Sequence, residues 1–345
     1  MGTRANDIAT LIRNGSQIDS DAIGTSAITA EKISPNAITA SKLNIGQLGG
    51  RRNLIINGGF DVWQRGISFT TVPNQDFTAD RWVVAAGTPN VNKGTLDTTY
   101  GNVLTITGTS ASGVYFSQRI ESPEIYQEKT LTVSFYAKAS SAVNINQKIR
   151  VAHTGGNYDR DTIANFDLTT DWQRYSYTFL VNDSGGALSF DSSSYIDVQL
   201  ISNSNINGIT VSFAQVQVEV GDTATPFEYR SYGEELALCQ RYYYKHAENV
   251  NQYVAHGWAY STSSVYLYVD FPVTMRATPS AEYSNSTGAY TFYSNNLAKS
   301  INTFAVISGT ETSMTLINQS VSGLTAGAAG GWYAPSGLIA FNSEL

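Results

Sequence analysis

An aliphatic side chain returns every fifth residue near the start of this chain: Ile18, Ile23, Ile28, Ile33, Ile38, Leu43 and Leu48. Within the run, Ala27-Ile-Thr-Ala-Glu-Lys-Ile33 is nearly repeated ten residues on as Ala37-Ile-Thr-Ala-Ser-Lys-Leu43. A period of five suits neither regular element. In a strand, an odd period throws successive aliphatic residues onto opposite faces. In an α-helix, five residues advance by about 500°, so the stripe drifts by roughly 140° at each repeat. Each pentad must therefore make its own small turn around an axis. A single thread of this kind buries too little apolar surface to offset the ordering of its backbone. The expectation is an intertwined homo-oligomeric stalk over residues 18–50, with the seven aliphatic positions facing a shared axis. A single-chain pentad solenoid and a flexible Ser/Thr/Ala linker are the alternatives.

Charged residues make up only 14% of the 345 residues, and Ser, Thr, Asn and Gly fill the difference, a profile of strands and turns. The net charge of −7 argues against a nucleic-acid partner. No apolar run reaches the length of a membrane-spanning helix. The first residues, Met1-Gly-Thr-Arg-Ala-Asn-Asp-Ile8, lack the apolar core of a secretory signal, so synthesis in a cytoplasm is expected. A single cysteine, Cys239, leaves nothing for an intrachain disulfide or a thiolate zinc site. No cofactor and no metal is expected.

Along the chain, residues 1–17 are polar apart from Ile8, Leu11 and Ile12 and read as an attachment segment. Residues 51–230 read as a β-sandwich. Strands are expected at 54–56, 81–85, 103–107, 114–119, 131–137, 145–152, 174–181, 195–200 and 209–220, separated by Gly, Asn, Asp and Ser turns. In one of them Val133, Phe135 and Ala137 alternate with Thr132, Ser134 and Tyr136. Residues 231–345 read as a connecting helix and a β-rich head. Ser231 and Glu234 form a capping-box pattern, and the helical reading extends through Tyr244 as a hinge between the two β regions. The fold class is all-β.

Several segments now have counterparts. Asn53-Leu-Ile-Ile-Asn-Gly-Gly-Phe-Asp-Val-Trp-Gln-Arg65 and Thr78-Ala-Asp-Arg-Trp82 resemble the start of a domain common in bacteriophage tail fibre proteins. Ser134-Phe-Tyr-Ala-Lys-Ala139 and Asp171-Trp-Gln-Arg-Tyr-Ser-Tyr-Thr-Phe179 are similar to jelly-roll carbohydrate-binding modules. The pentads resemble the proximal stalk of such fibres. The resemblance implies a homotrimeric tail fibre, or receptor-binding protein, of a tailed bacteriophage. Its N-terminus would sit on a tail or baseplate protein, and its C-terminal head would meet a host surface glycan or protein. The alternatives are a tailspike that cuts surface polysaccharide and a purely structural tail component.

For recognition, the head offers Trp258, Tyr260, Tyr266, Tyr268, Tyr290, Tyr293, Trp332 and Tyr333 as ligand-binding candidates, because flat rings stack on sugar faces and anchor interfaces. About half of them are expected to fill the trimer core of the head instead. Trp63, Trp82 and Trp172 read as core. No catalytic residue is assigned: Glu121, Glu124 and Glu128 surround Pro123 without a defined cleft geometry. His153, His246 and His256 have no close ligand spacing, and Asp159 with Asp161 reads as a solvated turn ahead of a calcium site.

Overall fold

The computed structural model describes residues 51–345 apart from 155–156, 182–188, 249–250 and 287, and for 157–163 the backbone alone. The attachment segment and the seven pentad positions lie outside the described residues.

The first lobe contains β1 (Ser68–Phe69), β2 (Asp76–Phe77), β3 (Val83–Ala86), β4 (Asn90–Lys93), β5 (Leu104–Thr107), β6 (Val114–Glu121), β7 (Lys129–Ala139), β8 (Val143–His153), β9 (Asn157–Leu168), β10 (Gln173–Val181), β11 (Tyr195–Ser204) and β12 (Thr210–Val220). They form two six-stranded sheets, β1-β4-β5-β12-β7-β10 and β2-β3-β6-β11-β8-β9, packed as a sandwich. Alternation builds the core: Leu131, Val133, Phe135 and Ala137 of β7 all point inward and are fully buried. Trp82 stacks on Phe116 at 5.4 Å and 7°, beneath Phe60.

Three expectations fail here. Residues 54–56 are not a strand, because Asn53 and Asn57 pull the chain into a compact loop. The Asn57 side chain donates to the carbonyls of Val62 and Asp80 and accepts from Val62 N, while its own carbonyl accepts from Trp82 Nε1. Gly58 is required there, since a Cβ would stand 2.1 Å from the Val216 carbonyl of β12. The segment around Asp159 and Asp161 is strand, not turn: β9 pairs along β8, with Asp161 opposite Arg150. Ladder hydrogen bonds outweigh the local turn preference of Asp. Trp172 is half-buried outside the core, with its Nε1 on Asp97 Oδ2 at 3.2 Å and its ring against Tyr100. Trp82 is core, and Trp63 packs half-buried beside it.

The connecting helix α1 (Tyr232–Gln240) starts where expected, with Ser231 accepting from Glu234 N. The Glu234 side chain does not close the box; it pairs with Arg51 at 2.7 Å. The helix stops at Gln240, and residues 243–244 are already strand. The head follows: β13 (Tyr243–Glu248), β14 (Gln252–Ala259), β15 (Val265–Asp270), β16 (Ser280–Tyr283), β17 (Tyr290–Ser294), β18 (Leu297–Ile301), β19 (Ala305–Gly309), β20 (Ser313–Asn318), β21 (Ala329–Ala334) and β22 (Leu338–Asn342). A seven-stranded sheet, β18-β17-β21-β14-β15-β20-β19, and a three-stranded one, β13-β22-β16, enclose a core of their own around Phe292, Phe304, Trp332 and Phe341.

The helix is not a hinge. Glu235, 5% exposed, accepts from Asn57 N and pairs with Arg230. Arg81 is buried at φ 73°, its guanidinium 3.5 Å from the centre of the Tyr242 ring and paired with Glu344. Arg65 covers Tyr243 at 3.5 Å and reaches the other oxygen of Glu344 at 3.3 Å. Gln64 bonds both Asp80 and the Tyr243 carbonyl, and accepts from Lys245 N. Burial pushes the Asp80 carboxyl up to about 6, against the opposing pull of Gln64 and Arg65. The tyrosines after the helix are therefore held by arginines of the first lobe.

Truncating one partner of a buried pair leaves the other charge uncompensated, which costs about 3–5 kcal/mol. Glu344→Ala is expected to destabilise the protein by that amount and to split one urea transition into two, one per lobe. An unchanged single transition would show that the junction does not couple them.

Candidate functional site

The outer face of the β3-β6-β11-β8 portion of the second sheet carries a concave site. Register sets its floor. Asp197 of β11 lies directly opposite Arg119 of β6 and Arg150 of β8, and Gln199 lies opposite Ser117 and Lys148. Ile196 and Val198, on the other parity, face the core. Tyr115 and Tyr195 flank the floor, and the cavity above it measures about 500 Å³. That is the size range of small-ligand sites.

The floor is polar and deeply set. Asp197 and Gln199 are 6% and 2% exposed, and Gln199 Nε2 donates to Asp197 Oδ2 at 2.7 Å. Asp197 Oδ1 and Gln199 Oε1 have no well-formed hydrogen-bond partner among the described residues. Burial raises the Asp197 carboxyl above its ordinary value, although Gln199, Ser117, Arg119 and Arg150 all favour its ionised form. Arg119 ties the rim together: it donates to the Leu345 carbonyl at 2.5 Å and to Gln75 Oε1 at 3.2 Å, and lies 4.8 Å from the Tyr195 ring centre. The site thus offers two unused acceptors, guanidinium groups and two phenols. That inventory matches hydroxyl groups, which both donate and accept.

None of these residues was singled out from the sequence. They come from three stretches far apart in the chain, and only the β6-β11-β8 register aligns them. The tyrosine and tryptophan candidates of the head fall into two sets. Trp258, Tyr260, Tyr266, Tyr268, Tyr293 and Tyr333 lie exposed or half-buried on the outer face of the seven-stranded sheet. Tyr290 and Trp332 are core residues: the Tyr290 hydroxyl donates to the Leu338 carbonyl, and Trp332 Nε1 donates to the Tyr266 carbonyl at 3.0 Å. Strand parity separates them, since neighbours such as Trp332 and Tyr333 must face opposite ways. Tyr253, 61% exposed on the same outer face, belongs with the first set.

Three other groups weighed from the sequence, Glu121, His246 and Cys239, are occupied structurally. Glu121 pairs with Arg241 at 3.0 Å. His246 bonds the Tyr244 hydroxyl and the Val254 carbonyl, and burial lowers its pKa. Cys239 is fully buried, and burial holds its thiol protonated.

Residues 52–199 match the model of a family described as a carbohydrate binding domain, and both flanks of the polar floor fall within them. The sandwich is similar to carbohydrate-binding jelly rolls. Among solved structures, one described as CBM4 shares 27% identity, covering 48% of this chain and 97% of its own, with a TM-score of 0.31. The N-terminal cellulose-binding domain of Cellulomonas fimi β-1,4-glucanase C shares 18%, covering 42% and 90%, with a TM-score of 0.29. The enzymatically active domain of bacteriophage CBA120 tailspike protein 4 shares 16%, covering 44% and 21%, with a TM-score of 0.30. No curated protein matches the chain.

A buried carboxylate with an unused oxygen is a cost that binding, not folding, would explain. Asp197→Ala is expected to leave the thermal midpoint unchanged or raise it. A fall of several degrees would mark Asp197 as a structural residue.

Proposed function

We propose that the chain binds a surface glycan in the β6-β11-β8 groove and acts as a trimeric tail fibre, or receptor-binding protein, of a tailed bacteriophage. The observation that carries the binding is the pair of buried, unused acceptors, Asp197 Oδ1 and Gln199 Oε1, on the floor of an open cavity. A saccharide hydroxyl donates to Asp197 while a neighbouring one accepts from a guanidinium. The phenols of Tyr115 and Tyr195 bound the groove sideways. The carbohydrate binding domain match over 52–199 supports the ligand class.

The fibre role rests on the tail-fibre-like segments at 53–65 and 78–82 and on the pentad run. In this reading residues 1–17 attach to a tail or baseplate protein, the aliphatic pentads draw three chains together, and the head points toward the host. The protein resides in the virion tail after synthesis in the host cytoplasm. Its action is adhesion without bond cleavage: weak contacts at each tip reinforce one another once a first contact forms.

Binding is tested by presenting the protein to an array of bacterial surface glycans. Retention on at least one glycan is expected, weakened about 10- to 100-fold by Asp197→Ala, as for loss of a hydrogen bond to a charged group worth about 1.5–3 kcal/mol. Equal retention of parent and variant would refute the groove reading, and new reducing ends on the bound glycan would replace adhesion by cleavage. Native mass measurement is expected to give three chains; a stable monomer would remove the fibre reading.

A further inference from the structure

Strands β17, β21 and β14 run side by side in the seven-stranded sheet of the head. Their register sets Tyr253 opposite Tyr333, and Tyr293 opposite Gly331. Gly331 matters because it has no side chain. A Cβ built there would stand 2.7 Å and 2.8 Å from Cδ1 and Cε1 of Tyr253. The Tyr253 ring therefore lies down over the strand, helped by the bulge between Tyr253 and Ala255, and remains 61% exposed. Tyr333 and Tyr293 stand against it at 71° and 64°, with ring centres 5.4 Å and 5.9 Å away. They meet each other at 86°. One ring makes a floor and two make walls. The Tyr333 hydroxyl donates to Asn251 Oδ1 at 2.9 Å, which fixes an amide beside the slot.

We infer that this slot is a second saccharide subsite, separate from the groove of the first lobe, and that it takes a neutral pyranose. The C–H face of a pyranose is complementary to the negative face of an aromatic ring, and the upright phenols with the Asn251 amide provide hydrogen-bond partners for equatorial hydroxyls. Charge narrows the ligand only to groups without a fixed counter-charge here: β14, β17 and β21 contain no Asp, Glu, Lys or Arg, and besides the tyrosines their one titratable side chain is His256, exposed opposite Gly331. An aromatic cage for a quaternary ammonium is a poorer fit. Such a cage surrounds the cation with several ring faces, whereas here Tyr253 is the exposed ring and the other two meet it edge-on at its border. The slot also lies outside the residues that match the carbohydrate binding domain.

The test uses the full chain on columns of immobilised neutral polysaccharide: mannan, galactan and β-glucan. Asp197→Ala first removes the contribution of the groove, so the two sites are read separately. In that background at least one column is expected to retain the protein. Adding Tyr253→Ala is expected to weaken retention roughly tenfold, equivalent to about 1.4 kcal/mol, and Tyr253→Phe to preserve it, because the stacking face survives. A thermal midpoint measured alongside confirms folding of this surface variant. Three results would overturn the inference: no retention of the Asp197→Ala protein on any column, retention indifferent to Tyr253→Ala, or a loss of self-association in Tyr253→Ala without change in sugar retention, which would make the slot a contact between copies of this chain. If Asp197→Ala leaves the parent's retention whole while Tyr253→Ala removes it, the groove reading fails and the slot stands.

Discussion

Glu344 is the residue on which the arrangement of the two lobes turns. It lies near the end of the head, yet its carboxylate pairs with two arginines of the first lobe, Arg65 and Arg81. Each arginine also covers a tyrosine of the stretch leaving the helix. A buried guanidinium needs both a counter-charge and a flat apolar surface, and the junction supplies both. The unusual backbone of the first lobe serves the same end: the positive φ of Arg81 and the fully bonded Asn57 set the loop from which Arg65 and Arg81 project. The consequence reaches the groove, because Arg81 also donates to the Arg119 carbonyl and Arg119 donates to the carbonyl of Leu345. The head thus buttresses a side chain that borders the candidate glycan site.

What could be read from the sequence follows how local each cause is. The strands of the sandwich were readable where apolar and polar residues alternate, as from Leu131 to Ala137 in β7, although Thr132 and Ser134 on its other face are buried as well. The helix start was readable from Ser231, whose cap lies within one turn. Its end was not. Tyr242, Tyr243 and Tyr244 continue a helical spacing, but the arginines that capture the first two come from the first lobe, far earlier in the chain. β9 was missed for a similar reason: Asp159 and Asp161 carry turn chemistry, and only the long ladder with β8 overrides it.

The candidate sites divide in the same way. The groove depends on three strands whose polar residues acquire meaning only in register, and no spacing within one strand announces it. The aromatic face of the head was visible in outline because tyrosine is abundant there. Its sorting was available too: a period of two already requires Tyr290 and Phe292 to share a face that Tyr293 leaves. Tyr253 was harder, since its prominence comes from a glycine on another strand.

The two surfaces differ in a way that matters for adhesion. The groove is polar, with deeply buried acceptors held in place before any ligand arrives, so as a glycan site it would discriminate by hydrogen-bond pattern. The tyrosine slot is shallow and uncharged, and ring stacking tolerates many neutral sugars. Under the proposed reading, a selective site and a permissive one on the same chain would convert the second contact into an intramolecular event, with a high effective concentration of sugar once either is filled. That gain requires the lobes to hold a constant separation, because a freely turning head would dilute the second site. The buried Arg65, Arg81 and Glu344 cluster supplies this constraint. A polar junction is a costly way to join two domains, and a fixed distance between two weak binding surfaces is a physical reason for having one.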